Sequence, residues 1–137
     1  MTTNMIIFDY KEHEKSFFKK NKIEGFNITF FEENLNENTV QNIPQETKDK
    51  TTVISVSRNS NITKNVIDHF KNLRIISTRS NSYEHICKKS ASERNIAIYN
   101  IDFCNDNELE KHTNEILQTT FDKIRDAQKG NNIYGIL

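Results

Sequence analysis

Five short apolar runs punctuate the N-terminal two thirds of the chain: Met5-Ile6-Ile7-Phe8, Ile28-Thr29-Phe30-Phe31, Val53-Ile54-Ser55-Val56, Ile75-Ile76-Ser77 and Ile96-Ala97-Ile98-Tyr99. Each has the length of a strand, and spacings of roughly 22–25 residues leave room for one helix between neighbours. Near-continuous apolarity, rather than strict alternation, predicts strands covered on both faces, as in a parallel sheet. The intervening segments carry helix signals. Asp9 stands as an N-cap before 11–21, Asn61 or Thr63 before Val66, Ile67 and Phe70, and Ser82 before Ile86. The stretch from Leu35 to Lys50 is polar and holds Pro44, which predicts a short helix followed by a solvated loop.

Beyond residue 106 the pattern changes. Leu109, Ile116, Leu117, Phe121 and Ile124 recur at helical spacing, with His112, Thr113 and Thr120 between them, and predict one long amphipathic helix. Lys129-Gly130 forms the expected stop, and 129–137 form a tail or linker remnant. Strand and helix therefore alternate as βαβ units. The expectation is a single α/β domain over 1–137, flavodoxin-like and doubly wound, with a five-stranded parallel sheet in the order 2-1-3-4-5 and a long C-terminal helix.

Composition narrows the choice of function. The 137 residues hold 19 Lys+Arg against 19 Asp+Glu, and a net charge of zero argues against a nucleic-acid partner. Mean hydropathy is −0.76, yet 28% charge of mixed sign is not the signature of disorder. Two cysteines are too few for a disulfide framework, no basic-then-apolar leader opens the chain, and no run nears the ~20 apolar residues of a membrane span. A cytoplasmic protein without a membrane partner is expected. Three glycines (Gly25, Gly130, Gly135) cannot build a P-loop or a G-x-G-x-x-G cradle, both of which need closely spaced glycines under a pyrophosphate.

In an open α/β sheet the ligand crevice lies beyond the carboxyl ends of the strands, where the strand order reverses. Four polar segments should meet there: Asp9-Tyr10, Ser57-Arg58-Asn59-Ser60, Thr78-Arg79-Ser80-Asn81-Ser82, and 100–105. Two arginines and helix N-termini suit a small carboxylate or phosphate, although Ser and Asn at strand ends can equally serve only as helix caps. Ser57 and Asn100-Ile101 stand where a phosphoacceptor receiver needs a carboxylate and a lysine, and Asp9-Tyr10-Lys11-Glu12-His13 lacks the Ser, Thr and Gly of a flavin loop. Four scattered histidines, with Glu108, His112 and Glu115 on one predicted helical face, offer no metal-ligand spacing, so no metal is expected. Cys104 is either an activated thiol beside the crevice or an inert one. Lys48-Asp49-Lys50 and Lys88-Lys89 read as solvated surface.

The order of these segments resembles the D-isomer-specific 2-hydroxyacid dehydrogenases, the D-lactate dehydrogenases especially. The resemblance rests on Met5–Asp9 with Tyr10-Lys11-Glu12-His13-Glu14, on Phe30-Phe31-Glu32-Glu33-Asn34-Leu35-Asn36, and on 53–60. It continues through Leu73-Arg74-Ile75-Ile76-Ser77-Thr78-Arg79-Ser80, Tyr83-Glu84-His85-Ile86, 95–100, Asp106-Asn107 and His112-Thr113. It covers nearly the whole chain in colinear order. It implies the substrate-side domain of such an enzyme, with the NAD-binding domain and the catalytic Arg, Glu or Asp, and His supplied elsewhere. No catalytic, cofactor-binding or metal residue is therefore expected in this chain.

Carboxylate binding is the part of that chemistry the resemblance implies here, through backbone N–H groups at Ser57-Arg58 and Asn81-Ser82, with Arg58 and Asn59 alongside. Ser82 replaces a glycine of the family, and Asp102, Cys104 and Asn105 replace its Pro-x-Tyr-Gly, so two crevice walls differ. Three functions follow as expectations: a stand-alone, non-catalytic binding module that homodimerises through the Leu109–Ile124 helix or the uncovered face, the substrate-binding half of an enzyme either completed in trans by a separate cofactor-domain protein or truncated, and a small-carboxylate sensor.

Overall fold

The structure is a computed structural model that describes residues 3–12, 15–16, 25–80 and 82–100. Five parallel strands form one sheet: β1 (Thr3–Phe8), β2 (Phe26–Phe31), β3 (Val53–Val56), β4 (Ile75–Thr78) and β5 (Ala97–Asn100). Their order is β2-β1-β3-β4-β5, so the doubly wound expectation holds, with its reversal between β1 and β3. The predicted C-terminal helix, with Leu109, Ile116, Leu117, Phe121 and Ile124, lies outside the described residues.

Burial follows position in the sheet. The last four residues of β1 and all of β3 and β4 are buried, and each of these strands has a neighbour on either side. The edge strand β2 instead alternates between half-buried and exposed. Side-chain parity divides the core. Ile6, Phe8, Ile54, Val56, Ile76 and Ile98 meet Leu35, Val40, Val66, Ile67 and Phe70 on one face. Met5, Ile7, Val53, Ile75 and Tyr99 gather on the other, joined by Tyr10, Phe26, Ile28 and Phe30. Register places Ile7, Ser55, Ser77 and Tyr99 in one row across the sheet on this second face.

The connections show how local chemistry sets element ends. Helix α1 (Gln45–Lys50) follows Pro44 directly and is preceded by a 3₁₀ turn at Thr39–Asn42. Helical structure therefore runs up to β3, where a solvated loop was expected. Lys48 corrects the reading of its cluster as solvated surface: it is 4% exposed, with Nζ 3.3 Å from Val40 O and 3.2 Å from His69 Nδ1. An ammonium has only protons to offer, so Nδ1 accepts. Helix α2 (Lys64–Asp68) starts at Thr63, whose hydroxyl accepts the Val66 N–H; of the two candidates, Thr63 is the cap.

Helix α3 (Lys88–Glu93) begins later than expected. Residues 82–86 form turns that end in a bridge between Ile62 and Ile86, so Ser82 caps no helix; its hydroxyl takes the Glu84 N–H in a local turn. The end of α3 is specified by Asn95, which is left-handed at φ 56. Asn95 N–H donates to Ser92 O and Ile96 N–H to Ala91 O, closing both bonds of a Schellman motif before the chain enters β5. Arg94 turns back on α2, donating to Ile67 O and Phe70 O at 2.7 Å each and to Lys71 O at 3.1 Å. Both ends of α2 and the carboxyl end of α3 are thus satisfied by nearby groups.

Candidate functional site

The carboxyl ends of β1, β3 and β4 converge at the strand-order reversal, and their first loop residues are hydrogen-bonded to one another. Asp9 leaves β1 with a left-handed backbone, φ 49. Its N–H is shared between Phe31 O (3.0 Å) and Glu33 O (3.2 Å) at the end of β2. Its carboxylate, expected to cap a helix, instead reaches β3: Ser57 Oγ donates to Oδ2 at 2.6 Å, and Asn59 Nδ2 lies 3.4 Å away. A hydroxyl this close to an acidic oxygen makes a charge-assisted bond, about twice as strong as a neutral one.

The β3 loop is internally braced. Ser57 Oγ also accepts the Asn59 N–H at 3.2 Å, and Ser57 O accepts the Ser60 N–H at 3.2 Å. Ser60 Oγ takes the Leu35 N–H at 2.9 Å, and Asn34 Nδ2 holds Asn59 O, so the loop is pinned to the segment after β2. The Arg58 N–H finds no acceptor among the described residues. The Arg58 side chain is exposed.

From β4, Arg79 crosses the reversal. Its Nε donates to Ser55 Oγ at 3.1 Å, and its terminal nitrogens donate to Phe8 O and, at 3.4 Å, to Asp9 O. One guanidinium therefore ties β4 through β3 to the last carbonyls of β1, using the planar fork that lysine lacks. Sequence reasoning placed Arg79 in a crevice loop but put the anion contact on Arg58. Spacing separates them: counting by twos along β4, Arg79 falls on the face shared with Ile75 and Ser77, next to Ser55.

The β4 loop folds on itself. Thr78 Oγ1 lies 3.0 Å from Ser80 Oγ and 2.8 Å from His85 Nε2, and Ser80 Oγ donates to Ser82 O at 2.6 Å. The Ser82 N–H points back to Ser80 Oγ at 3.3 Å. Burial holds the His85 imidazolium pKa below its ordinary value of 6.5; the Arg58 charge adds to this and Glu84 opposes it. Cys87 is half-buried, and its thiol is pulled down chiefly by the Ser90 hydroxyl 3.2 Å away.

Of the residues singled out from sequence, Ser57, Arg58 and Asn59 share one loop, and Ser57 and Asn59 meet at Asp9. Ser82 lies in the β4 turn; Asn81, Asp102, Cys104 and Asn105, like Glu108, His112 and Glu115, fall outside the described residues. No group of His, Cys, Asp or Glu among the described residues could hold a metal, and no helix among them is long and apolar enough to cross a membrane. The one described glycine, Gly25, precedes β2, where its carbonyl accepts the Thr3 N–H at the amino end of β1, opposite the crevice. The described crevice thus contains no glycine against which a dinucleotide pyrophosphate could lie.

Comparison with known proteins gives a consistent relationship. Residues 5–133 match the sequence profile of the D-isomer specific 2-hydroxyacid dehydrogenase, catalytic domain. No curated protein matches the chain. Solved structures with similar folds include D-lactate dehydrogenase from Escherichia coli in its apo form, with 18% identity, TM-score 0.63, and 92% of this chain and 40% of that one covered. D-lactate dehydrogenase from Aquifex aeolicus, complexed with NAD and lactic acid, has 18% identity, TM-score 0.63, and 98% and 40% coverage. The cofactor-bound 3-phosphoglycerate dehydrogenase of Entamoeba histolytica has 14% identity, TM-score 0.61, and 74% and 33% coverage. The chain spans about two fifths of the length of the two D-lactate dehydrogenases.

Proposed function

Since the chain belongs to the D-isomer specific 2-hydroxyacid dehydrogenases through their catalytic domain, we propose that it is the substrate-binding half of such an enzyme, holding the carboxylate of a small 2-hydroxy or 2-oxo acid. The observation that supports this reading is the braced β3 loop, where the Arg58 N–H has no acceptor among the described residues while the amides of Asn59 and Ser60 are occupied. An exposed amide with no protein acceptor can exchange water for an anion, and a loop held by these hydrogen bonds presents it at little ordering cost. Arg58 stands at the same point with its positive charge in solvent.

NAD would supply the hydride chemistry, but the described residues do not fit it, and a cofactor-binding domain must provide its cradle together with the proton-transferring groups. This chain's own contribution is to bind and orient. In the described part of the β4 loop the Ser82 N–H departs from a free carboxylate donor, being taken by Ser80 Oγ. That departure supports a second reading, a non-catalytic domain that retains a weakened carboxylate site.

Backbone amide shifts of the 137-residue chain, followed during titration with pyruvate, test the binding shared by both readings. Saturable shifts at 57–60 are expected, and no saturable change up to millimolar pyruvate would overturn it. The reading frame after Leu137 separates the two. An in-frame Gly-x-Gly-x-x-Gly there supports the enzyme half, whereas a stop codon followed by unrelated sequence supports the non-catalytic domain.

A further inference from the structure

Three independent features meet on Asp9. Its backbone occupies the left-handed region at φ 49, which costs an ordinary L residue roughly 1–2 kcal/mol and which Asp and Asn tolerate best after glycine. That conformation is held from both sides, its N–H by Phe31 O and Glu33 O and its carbonyl by Arg79. Its carboxylate is thereby aimed across the strand-order reversal onto the Ser57 hydroxyl, 2.6 Å away. The side chain is half-buried, so water screens it incompletely.

We infer that Asp9 is a specificity-determining residue of the crevice, a fixed negative charge that admits monocarboxylates and rejects acids carrying a second anionic group. The inference rests on the carboxylate site proposed at Ser57-Arg58. A ligand carboxylate on the Arg58 amide lies within one residue of the hydroxyl that Asp9 already holds, a span of about 4–7 Å. Like charges at that separation repel, and a second carboxylate or a phosphate adds a further repulsive pair with Asp9, while the Arg58 amide satisfies only one of the two groups. The crevice therefore sorts ligands by charge through one residue, and the Ser57 hydroxyl keeps that charge in place.

The test compares D-lactate with D-malate, which adds one carboxylate, on the full chain and on Asp9→Asn, read by amide shifts at 57–60. Asn keeps the left-handed backbone and the side-chain shape while removing the charge. Asp9→Gly, which also tolerates the conformation, serves as the second variant. The unsubstituted chain should prefer D-lactate by about tenfold or more, and both variants should bring the ratio to within about threefold, with the preference shrinking as salt is raised. A ratio left unchanged by both variants, while D-lactate still binds, overturns the role of Asp9 and leaves the carboxylate site standing. Absence of saturable binding in all three proteins overturns the carboxylate site itself, and the inference with it.

Discussion

Arg79 is the residue on which the geometry of the crevice depends. Its donors go to Ser55 Oγ, Phe8 O and Asp9 O, and hydrogen bonds from a charged group contribute about 1.5–3 kcal/mol each in context-dependent fashion. Arg79→Met should lower stability by about 3 kcal/mol, measured as a shift in urea midpoint, and should broaden the amide resonances of Asp9 and Ser57. Arg79→Lys should recover less than half, since an ammonium cannot reach three acceptors in one plane. His85 makes a second residue-level prediction. Its folded pKa lies below 6.5, so the unfolded chain takes up the proton first as pH falls. Stability from this group is therefore present above pH 6.5 and is lost as pH falls from there through the folded value. Urea midpoints at pH 7 and pH 5 should differ more for the native chain than for His85→Gln; equal differences would remove His85 as the cause.

At the scale of elements, the strands and their order were legible because burial on both faces leaves near-continuous apolar text, as in Val53–Val56 and Ile75–Thr78. Helix ends were less legible, since several side chains compete for each terminus. Ser82 looked like a cap but its N–H and hydroxyl are spent in a local turn, while Asp9 looked like a cap but is turned by its left-handed backbone onto Ser57. Lys48 looked solvated because its neighbours are charged, and only the tertiary fold brings Val40 O and His69 to its ammonium. The α3 terminus yields a direct check. Asn95→Val places a β-branched residue at φ 56 and should cost about 1–2 kcal/mol in thermal or urea unfolding, whereas Asn95→Gly should be neutral or stabilising.

At the scale of the molecule, parallel strands in the order β2-β1-β3-β4-β5 bring three strand ends together at one reversal, and the chemistry there is arranged before any ligand arrives. The crevice was locatable from sequence as a set of loops. Its working members were only partly legible: side-chain parity along β4 turns Arg79 inward, but the pairing of Asp9 with Ser57 spans nearly fifty residues and leaves no local signal. Family membership and fold agree on the scaffold; within the described crevice the Ser82 amide is closed by Ser80 Oγ, whereas the Arg58 amide has no acceptor. The most direct measurement is a crystal structure of the full 137-residue chain grown with saturating pyruvate. The pyruvate carboxylate is expected within hydrogen-bonding distance of the Arg58 backbone nitrogen, beside an intact Asp9–Ser57 bond. A pyruvate bound elsewhere, or an Arg58 amide still without a ligand at full occupancy, would contradict it.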